Sequence, residues 1–444
     1  MNHENHNKAS SIKVINPDTA GIDIGASSHF IAVPEGRDTK IVREFGCFTV
    51  DIEAMIRWLR SCKIKTVVME STGSYWIPVF EMLDQAGFEV KLVDAHHVKN
   101  VRGRKSDIID CQWLQQLDAH GLLSGAFRPE NDIVELRSYL RQRSTLIEIS
   151  AMHIQHMQKA LIQMNIHLNN AISDITGVTG MAIIRSILSG ERDLKKLAKM
   201  KDPRCHNPED VIEKSLQGNY RKEHLFALKQ AVEGYDFYQK KISECDEEIK
   251  KKLETLSPLQ KLTEAKSRKA KVKKNEYSFN VKDHLKQLIG VDLTTVPGID
   301  VNTALKLISE IGTDITKWPT EKHFCAWLGL CPGTKISGGR RLSSHTSHRT
   351  NKAAIALRMS ASSLYRSKTA FGAFLRKMKA RMGPVEAVTA TAHKMGRAIY
   401  HMMLKRVDFH EAGADFYEKL NEAKTLKFLK KRAETLGYTL VKVA

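Results

Sequence analysis

The chain has 444 residues, 70 Lys and Arg against 50 Asp and Glu, and a formal charge of +20. That length exceeds one ordinary hydrophobic core, so two or three domains are expected, and an excess of that size points to a polyanionic partner, nucleic acid above others. No apolar run reaches the roughly 20 residues that span a bilayer, so no membrane partner is expected.

The polar stretch Met1 to Ser11 lacks the apolar core of a signal peptide. Seven scattered cysteines without a CxxC pair suggest neither a disulfide framework nor a zinc site, and a reducing, cytoplasmic setting follows.

Residues 12–128 alternate short apolar runs with helical patterns. Gly21 to Val33 predicts a strand pair turning near Ser27 and Ser28, and Ile41 to Phe48, Thr66 to Glu70 and Glu89 to Val93 predict further strands. Asp51 to Cys62 predicts an amphipathic helix with Ile52, Met55, Ile56 and Leu59 on one face, and Trp76 to Gln85 a second helix. Strands in a run, then alternating with helices, give an α/β domain with a mixed sheet.

Four acids stand out in this domain. Asp23 sits in Gly-Ile-Asp-Ile-Gly and Glu70 ends Thr-Val-Val-Met-Glu. An acid inside an apolar strand is costly unless it is paired or holds a cation. Asp107 and Asp110, three apart, share one face of a predicted helix. Singly, they read as a turn cap, a strand-end charge and a helix N-terminal pair favoured by the dipole. Together they read as a divalent metal site. Carboxylate oxygens suit Mg²⁺ or Mn²⁺, and such ions clamp the attacking and leaving oxygens in phosphodiester chemistry.

Residues 129–260 predict a helical, coiled-coil segment. Leu140, Ile147, Ile154 and Leu161 are spaced by seven, and Leu136, Met157 and Met164 fill much of the second seam position, with Arg143 and Ser150 interrupting it. A second long helix runs from about Lys222 to Leu256, with a turn region at Pro203 to Asn207 between the two. Self-association and a plain antiparallel hairpin within one chain both satisfy this pattern. Residues 261–284 read as a basic linker: Lys261 to Lys282 hold eight Lys or Arg against Glu264 and Glu276. Lys269, Lys271, Lys273 and Lys274 are candidate contacts to a phosphate backbone; a solvated tether is the alternative.

Residues 285–410 predict a compact, mostly helical domain. Thr295-Val296-Pro297-Gly298-Ile299 precedes a helix ending at Gly312, which matches a helix-hairpin-helix element. Backbone N–H groups there, with Gly298 at the turn, can receive a phosphate. Next, Gly333 to Arg341 forms a Gly-rich loop in which Gly338 and Gly339 let backbone approach a ligand, and Arg340 and Arg341 offer bidentate phosphate contacts. Ser337 stands within it, a turn residue or a nucleophile that needs activation. His345 and His348 lie nearby, without a Ser-His-Asp spacing. Asn351 to Leu364 and Val385 to Met403 predict helices flanking a basic segment with Arg376, Lys377, Lys379 and Arg381, and residues 411–444 a helical tail. No Walker A sequence or dinucleotide-binding glycine pattern is present, so ATP is not indicated.

The blocks GIDIG, VVMESTGSYW and KSDIIDCQWL resemble the RuvC-like, RNase H-like DEDD domain of the insertion sequence 110 family of transposases. VPGIDVNTALKLISEIG and FCAWLGLCPGTKISGG resemble the C-terminal transposase domain of that family. Together they cover roughly residues 15–125 and 285–405, in the family's domain order. The resemblance implies a DNA recombinase that excises and inserts its own element. It makes Asp23, Glu70, Asp107 and Asp110 the catalytic, metal-holding acids. It also makes Ser337, in its Ser-Gly context rather than Ser343 or Ser344, the serine that attacks DNA and forms a phosphoserine link.

It further implies a homo-oligomer, dimer or tetramer, in which the acids of one subunit meet the serine loop of another. A non-coding bridge RNA would choose target and donor DNA. The middle segment is long, and the tract from Lys261 has no match in the family pattern. The rival readings are a RuvC-like junction-resolving endonuclease using water, a site-specific invertase of the same DEDD fold, and a non-catalytic nucleic-acid-binding protein.

Overall fold

Thr19 to Ile22 are buried without a break, so the first strand of the sheet is covered on both faces. The computed structural model describes residues 13–71, 73–93, 107–257, 275–343, 346 and 351–441, and the chain divides after Arg128 into two units.

In the first unit, β1 (Thr19–Ile24), β2 (Ser28–Ala32) and β3 (Val42–Gly46) form an antiparallel meander. β4 (Thr66–Glu70) pairs in parallel with β1, and β5 (Glu89–Val93) in parallel with β4, giving the order β3-β2-β1-β4-β5. One face carries Ala20, Ile22, Val67 and Met69 into a core with Ile52, Met55 and Leu59 of α1 (Thr49–Ser61) and Val79 and Leu83 of α2 (Trp76–Gln85). The other face is covered by α3 (Asp107–Ala119), which packs on β1 and β2. This is the expected mixed, RNase H-like α/β arrangement. The strands, and α2, run as the patterning predicts. α1 begins slightly early because Asp51 is not its first residue: its carboxylate reaches back to accept from the Phe48 N–H at 3.2 Å.

The second unit opens with α4 (Asn131–Gln163), which packs antiparallel along α9 (Lys222–Leu256). The short helices α5 (Leu168–Ala171), α6 (Val178–Leu188), α7 (Leu194–Ala198) and α8 (Glu209–Ser215) lie between them in sequence. They form a module in which Leu168, Ile183, Ile187, Leu197 and Ile212 pack with Met157 and Leu161 of α4 and Leu228 of α9. The patterning predicts only a turn at Pro203–Asn207 there; α5, α7 and α8, of four to seven residues, are too short to show a period.

The seam expected on α4 is filled by the chain's own α9, so the plain intrachain hairpin is the arrangement found. Arg143 and Ser150 do not interrupt it. Both are buried within it, seven residues apart, opposite Asp246 and Gln239, which are also seven apart. The Arg143 guanidinium pairs with the Asp246 carboxylate, donates to the Asn275 carbonyl at 3.0 Å and lies 4.1 Å from the centre of the Tyr277 ring. The Gln239 amide donates to the Ser150 hydroxyl at 2.9 Å. Two polar layers in an apolar seam admit one register, because any slip would bury them unpaired.

Lys269, Lys271, Lys273 and Lys274 lie outside the described residues. The linker ends earlier than residue 284, because α10 (Val281–Ile289) starts where Asn280 accepts from the Asp283 N–H at 3.2 Å. Lys282 pairs with Asp292 at 2.9 Å. A 3-10 turn (Leu293–Thr295) leads to α11 (Val301–Ile311), then α12 (Glu321–Trp327) and a ribbon of β6 (Lys335–Ser337) and β7 (Arg340–Ser343). The helices α13 (Lys352–Ser363), α14 (Ala370–Met382), α15 (Pro384–Lys405) and α16 (Gly413–Thr435) complete the chain, and α12, α13 and α14 pack around α15. The basic segment between the two predicted C-terminal helices is thus itself a helix, α14. Among the described residues no helix is long and apolar enough to cross a membrane.

Truncating one member of a buried ion pair strands the other. Asp246→Ala is expected to cost about 3–5 kcal/mol, read as a lowered urea midpoint; a loss under about 1 kcal/mol would mean that water screens the layer.

Candidate active site

Side chains alternate along a strand, so Thr19, Gly21 and Asp23 share one face of β1, as do Thr66, Val68 and Glu70 on β4. The parallel register sets Thr19 against Thr66 and Gly21 against Val68. One further step along the same face brings Asp23 and Glu70, at the C-terminal ends of neighbouring strands, to the side that α3 covers.

α3 lies unusually close to β1. A Cβ at position 21 would fall 2.3 Å from the Cys111 carbonyl oxygen and 2.5 Å from the Gln115 nitrogen, so only glycine permits the approach. The C-terminal end of α3 is fastened to the start of β1. Asp118 is fully buried and its carboxylate accepts from the Thr19 hydroxyl at 2.6 Å and the Lys91 ammonium at 3.2 Å. The Asn16 side-chain amide donates to the Asp118 carbonyl at 2.8 Å, and the Ile15 N–H to that of Ala119 at 2.7 Å. The helix therefore runs antiparallel to β1, and its first turn, with Asp107 and Asp110, faces the strand end that holds Asp23. The Cys111 thiol registers this placement: burial, followed by the charges of Asp23 and Asp110, pushes its pKa up to about 12.

Asp23, Glu70 and Asp110 are half-buried and Asp107 is exposed. Among the described residues no three His, Cys, Asp or Glu side chains close into a metal-holding group. The donor set nonetheless suits Mg²⁺, which keeps several waters and takes one or two carboxylates with substrate phosphate rather than an all-protein cage. Asp23 and Glu70 from the sheet and Asp107 and Asp110 from the helix would supply those oxygens.

Ser337 lies in the second unit, exposed at the end of β6 opposite Arg340. The predicted loop is a two-stranded hairpin whose turn, Gly338-Gly339, has φ of +55° and +74°. Two successive positive φ angles form the tight hairpin turn that glycine favours. Arg340 is exposed beside it. Ser343 closes β7, while Ser344, His345 and His348 lie outside the described residues. Gly298 adopts φ +84° and packs against the Ser360 carbonyl. At the following helix start the Asp300 carboxylate already accepts the Thr303 N–H at 2.7 Å, so one of the amides expected to receive phosphate is taken.

Gly21, Thr19, Lys91 and Asp118 were not singled out from the sequence. An acid continuing the buried stripe Cys111, Leu114, Asp118 on one helix face was the available signal.

Residues 20–166 match a family model for a DEDD transposase of the IS110 type, described as a transposase. Residues 291–376 match the model described as the transposase IS116/IS110/IS902 family. Together these 147 and 86 residues make just over half of the 444. A DEDD-type domain speaks for divalent-metal use in general. No curated protein matches the chain.

Gly21→Ala is expected to destabilise the first unit by at least about 1–3 kcal/mol, the usual cost of overpacking. It should also release Cys111 to thiol reagents, read by mass spectrometry of alkylated protein at pH 8. Continued protection of Cys111 would show that α3 tolerates a side chain beneath it.

Proposed function

The chain belongs to the IS110 family of transposases, and from that membership we propose a specific chemistry for it. Ser337 of one subunit attacks DNA phosphodiesters with the help of a divalent ion held by Asp23, Glu70, Asp107 and Asp110 of another, and the element is thereby excised and inserted. The observation that carries this reading is the shared face of Asp23 and Glu70 at adjacent strand ends, under the helix whose first turn bears Asp107 and Asp110.

Bound Mg²⁺ or Mn²⁺ would supply neutralisation of the charge that builds on the phosphate oxygens. The protein's own groups do the rest. The four carboxylates bind and orient through oxygen alone. Arg340, with Arg341, grips non-bridging phosphate oxygens with a planar fork. The Ser337 Oγ forms a bond to phosphorus as the bond from phosphorus to a deoxyribose oxygen breaks. The serine proton passes to water, and the departing oxygen takes a proton from water. Joining reverses the step with the hydroxyl of another DNA end. The phosphoserine conserves the diester bond, so no nucleotide hydrolysis is required.

A homo-oligomer, dimer or tetramer, and a non-coding bridge RNA complete the proposal. Ile336 and Leu342 on the serine hairpin are 66% and 68% exposed, which suits a surface that an assembled complex covers. The charge of +20 suits two nucleic-acid partners. Work on chromosomal DNA sets the enzyme in the cytoplasm.

Ser337→Ala is expected to abolish both the covalent protein–DNA adduct on denaturing gels and strand joining, while Asp23→Asn or EDTA abolishes cleavage in a folded protein. Cleavage that survives Ser337→Ala would make the chain a water-using nuclease instead. Unchanged processing by Asp23→Ala, with no metal effect, would reduce it to a binding protein.

A further inference from the structure

Ion pairing divides the second unit into two kinds of surface. Along α9, lysines are answered by acids about one turn away: Lys229 by Glu233, Lys241 by Glu244, Lys250 by Glu254 and Lys251 by Glu248. From Lys322 to Val385 the sequence runs for 64 residues with 13 Lys and Arg and no Asp or Glu. Among the described residues the ion pairs flanking that span are Lys317 with Glu130 and Arg397 with Glu321, and none falls within it.

Five of these cations are exposed on neighbouring elements: Arg366, Lys368, Lys377, Lys379 and Arg381. The elements are fastened together from below. The Arg376 guanidinium donates to the Tyr365 carbonyl at 3.1 Å and the Ser367 carbonyl at 2.7 Å, tying α14 to the 3-10 turn Leu364–Arg366. The Lys379 ammonium lies 4.2 Å from the centre of the Tyr365 ring, which is itself 45% exposed. Like charges held on one rigid surface repel one another unless an anion sits against them. Cations around an accessible aromatic ring are what a nucleic-acid surface requires, the cations for phosphates and the ring face for a base or sugar.

We propose that the Leu364–Arg366 turn and the C-terminal half of α14 form a docking face for the backbone of duplex DNA, the partner to which the transposase matches point. Arg366, Lys368, Lys377, Lys379 and Arg381 meet its phosphates, and the Tyr365 ring packs on a sugar. Lys377 to Arg381 lie past residue 376, where the second family match ends. The inference rests on the nucleic-acid reading above but uses none of its catalytic groups.

The test is binding of the full-length protein to labelled DNA duplex and to RNA duplex of the same sequence, in EDTA, across a salt series. The quadruple variant Arg366→Gln, Lys368→Gln, Lys377→Gln, Arg381→Gln removes only exposed cations. It is expected to lower the slope of log K against log salt by about 3–4 on DNA, at roughly 0.9 per lost phosphate contact. The control Lys229→Gln, Lys241→Gln, Lys250→Gln, Lys251→Gln has the same net charge and should leave the slope within about 1 of the parent. Loss of slope on DNA, with or without loss on RNA, supports the face, and loss on RNA alone overturns it. Equal losses in the two variants, or none in the first, overturn it while leaving the recombinase reading intact. A parent protein that binds neither nucleic acid overturns both. If the quadruple variant melts early, Lys377→Gln with Arg381→Gln should still show about half the slope change.

Discussion

A helix can lie against a strand at backbone distance only where the strand residue has no side chain, and the candidate chemistry of the first unit depends on Gly21 meeting that condition. The Cys111 carbonyl and Gln115 amide occupy the volume a Cβ would need. With α3 that close, its first turn reaches the strand ends, and two acids there benefit from the positive end of the helix dipole. The opposite end is held by a buried charge. Asp118 is costly to desolvate, and the Thr19 hydroxyl and Lys91 ammonium offset that cost. Fastening the helix at its far end leaves its near end to carry groups chosen for chemistry rather than for packing.

The hairpin of the second unit uses the same device for a different purpose. Arg143 and Ser150 specify the register of α4 on α9, and Arg143 also holds the Asn275 carbonyl and the Tyr277 ring. At the other end of the basic tract, the Ser257 hydroxyl lies 3.2 Å and its carbonyl 3.0 Å from the His284 Nδ1. Both residues that flank the tract are therefore pinned to ordered structure.

The strands, α2, α9 and the positions of the four acids on strand and helix were legible in the sequence, because short apolar runs and period-3.6 patterning are local signals. What failed to show were features decided by tertiary partners. Arg143 and Ser150 looked like defects because their partners, Asp246 and Gln239, lie some ninety to a hundred residues away. The module of α5 to α8 was missed because helices this short draw their stability from the Met157, Leu161 and Leu228 platform rather than from their own pattern. Ser337 was placed in a loop because Gly338-Gly339 dominates the local reading, and a two-stranded ribbon of three or four residues leaves no alternation to detect.

Charge is distributed between the units as unevenly as the chemistry. Residues 1–128 hold 15 Lys and Arg against 16 Asp and Glu, so the whole excess of +20 belongs to residues 129–444. A near-neutral unit whose acids must approach phosphates cannot attract a polyanion over distance, and at close range Asp23 and Glu70 would repel it. Long-range attraction must then come from the basic unit, whose potential extends about a Debye length, roughly 8 Å at physiological salt. The short-range repulsion must be cancelled at the acids themselves, which a divalent ion does and a distant lysine does not. On the proposed chemistry neither unit would suffice alone: the basic one would collect the nucleic acid, and the first would tolerate it only with its carboxylates neutralised.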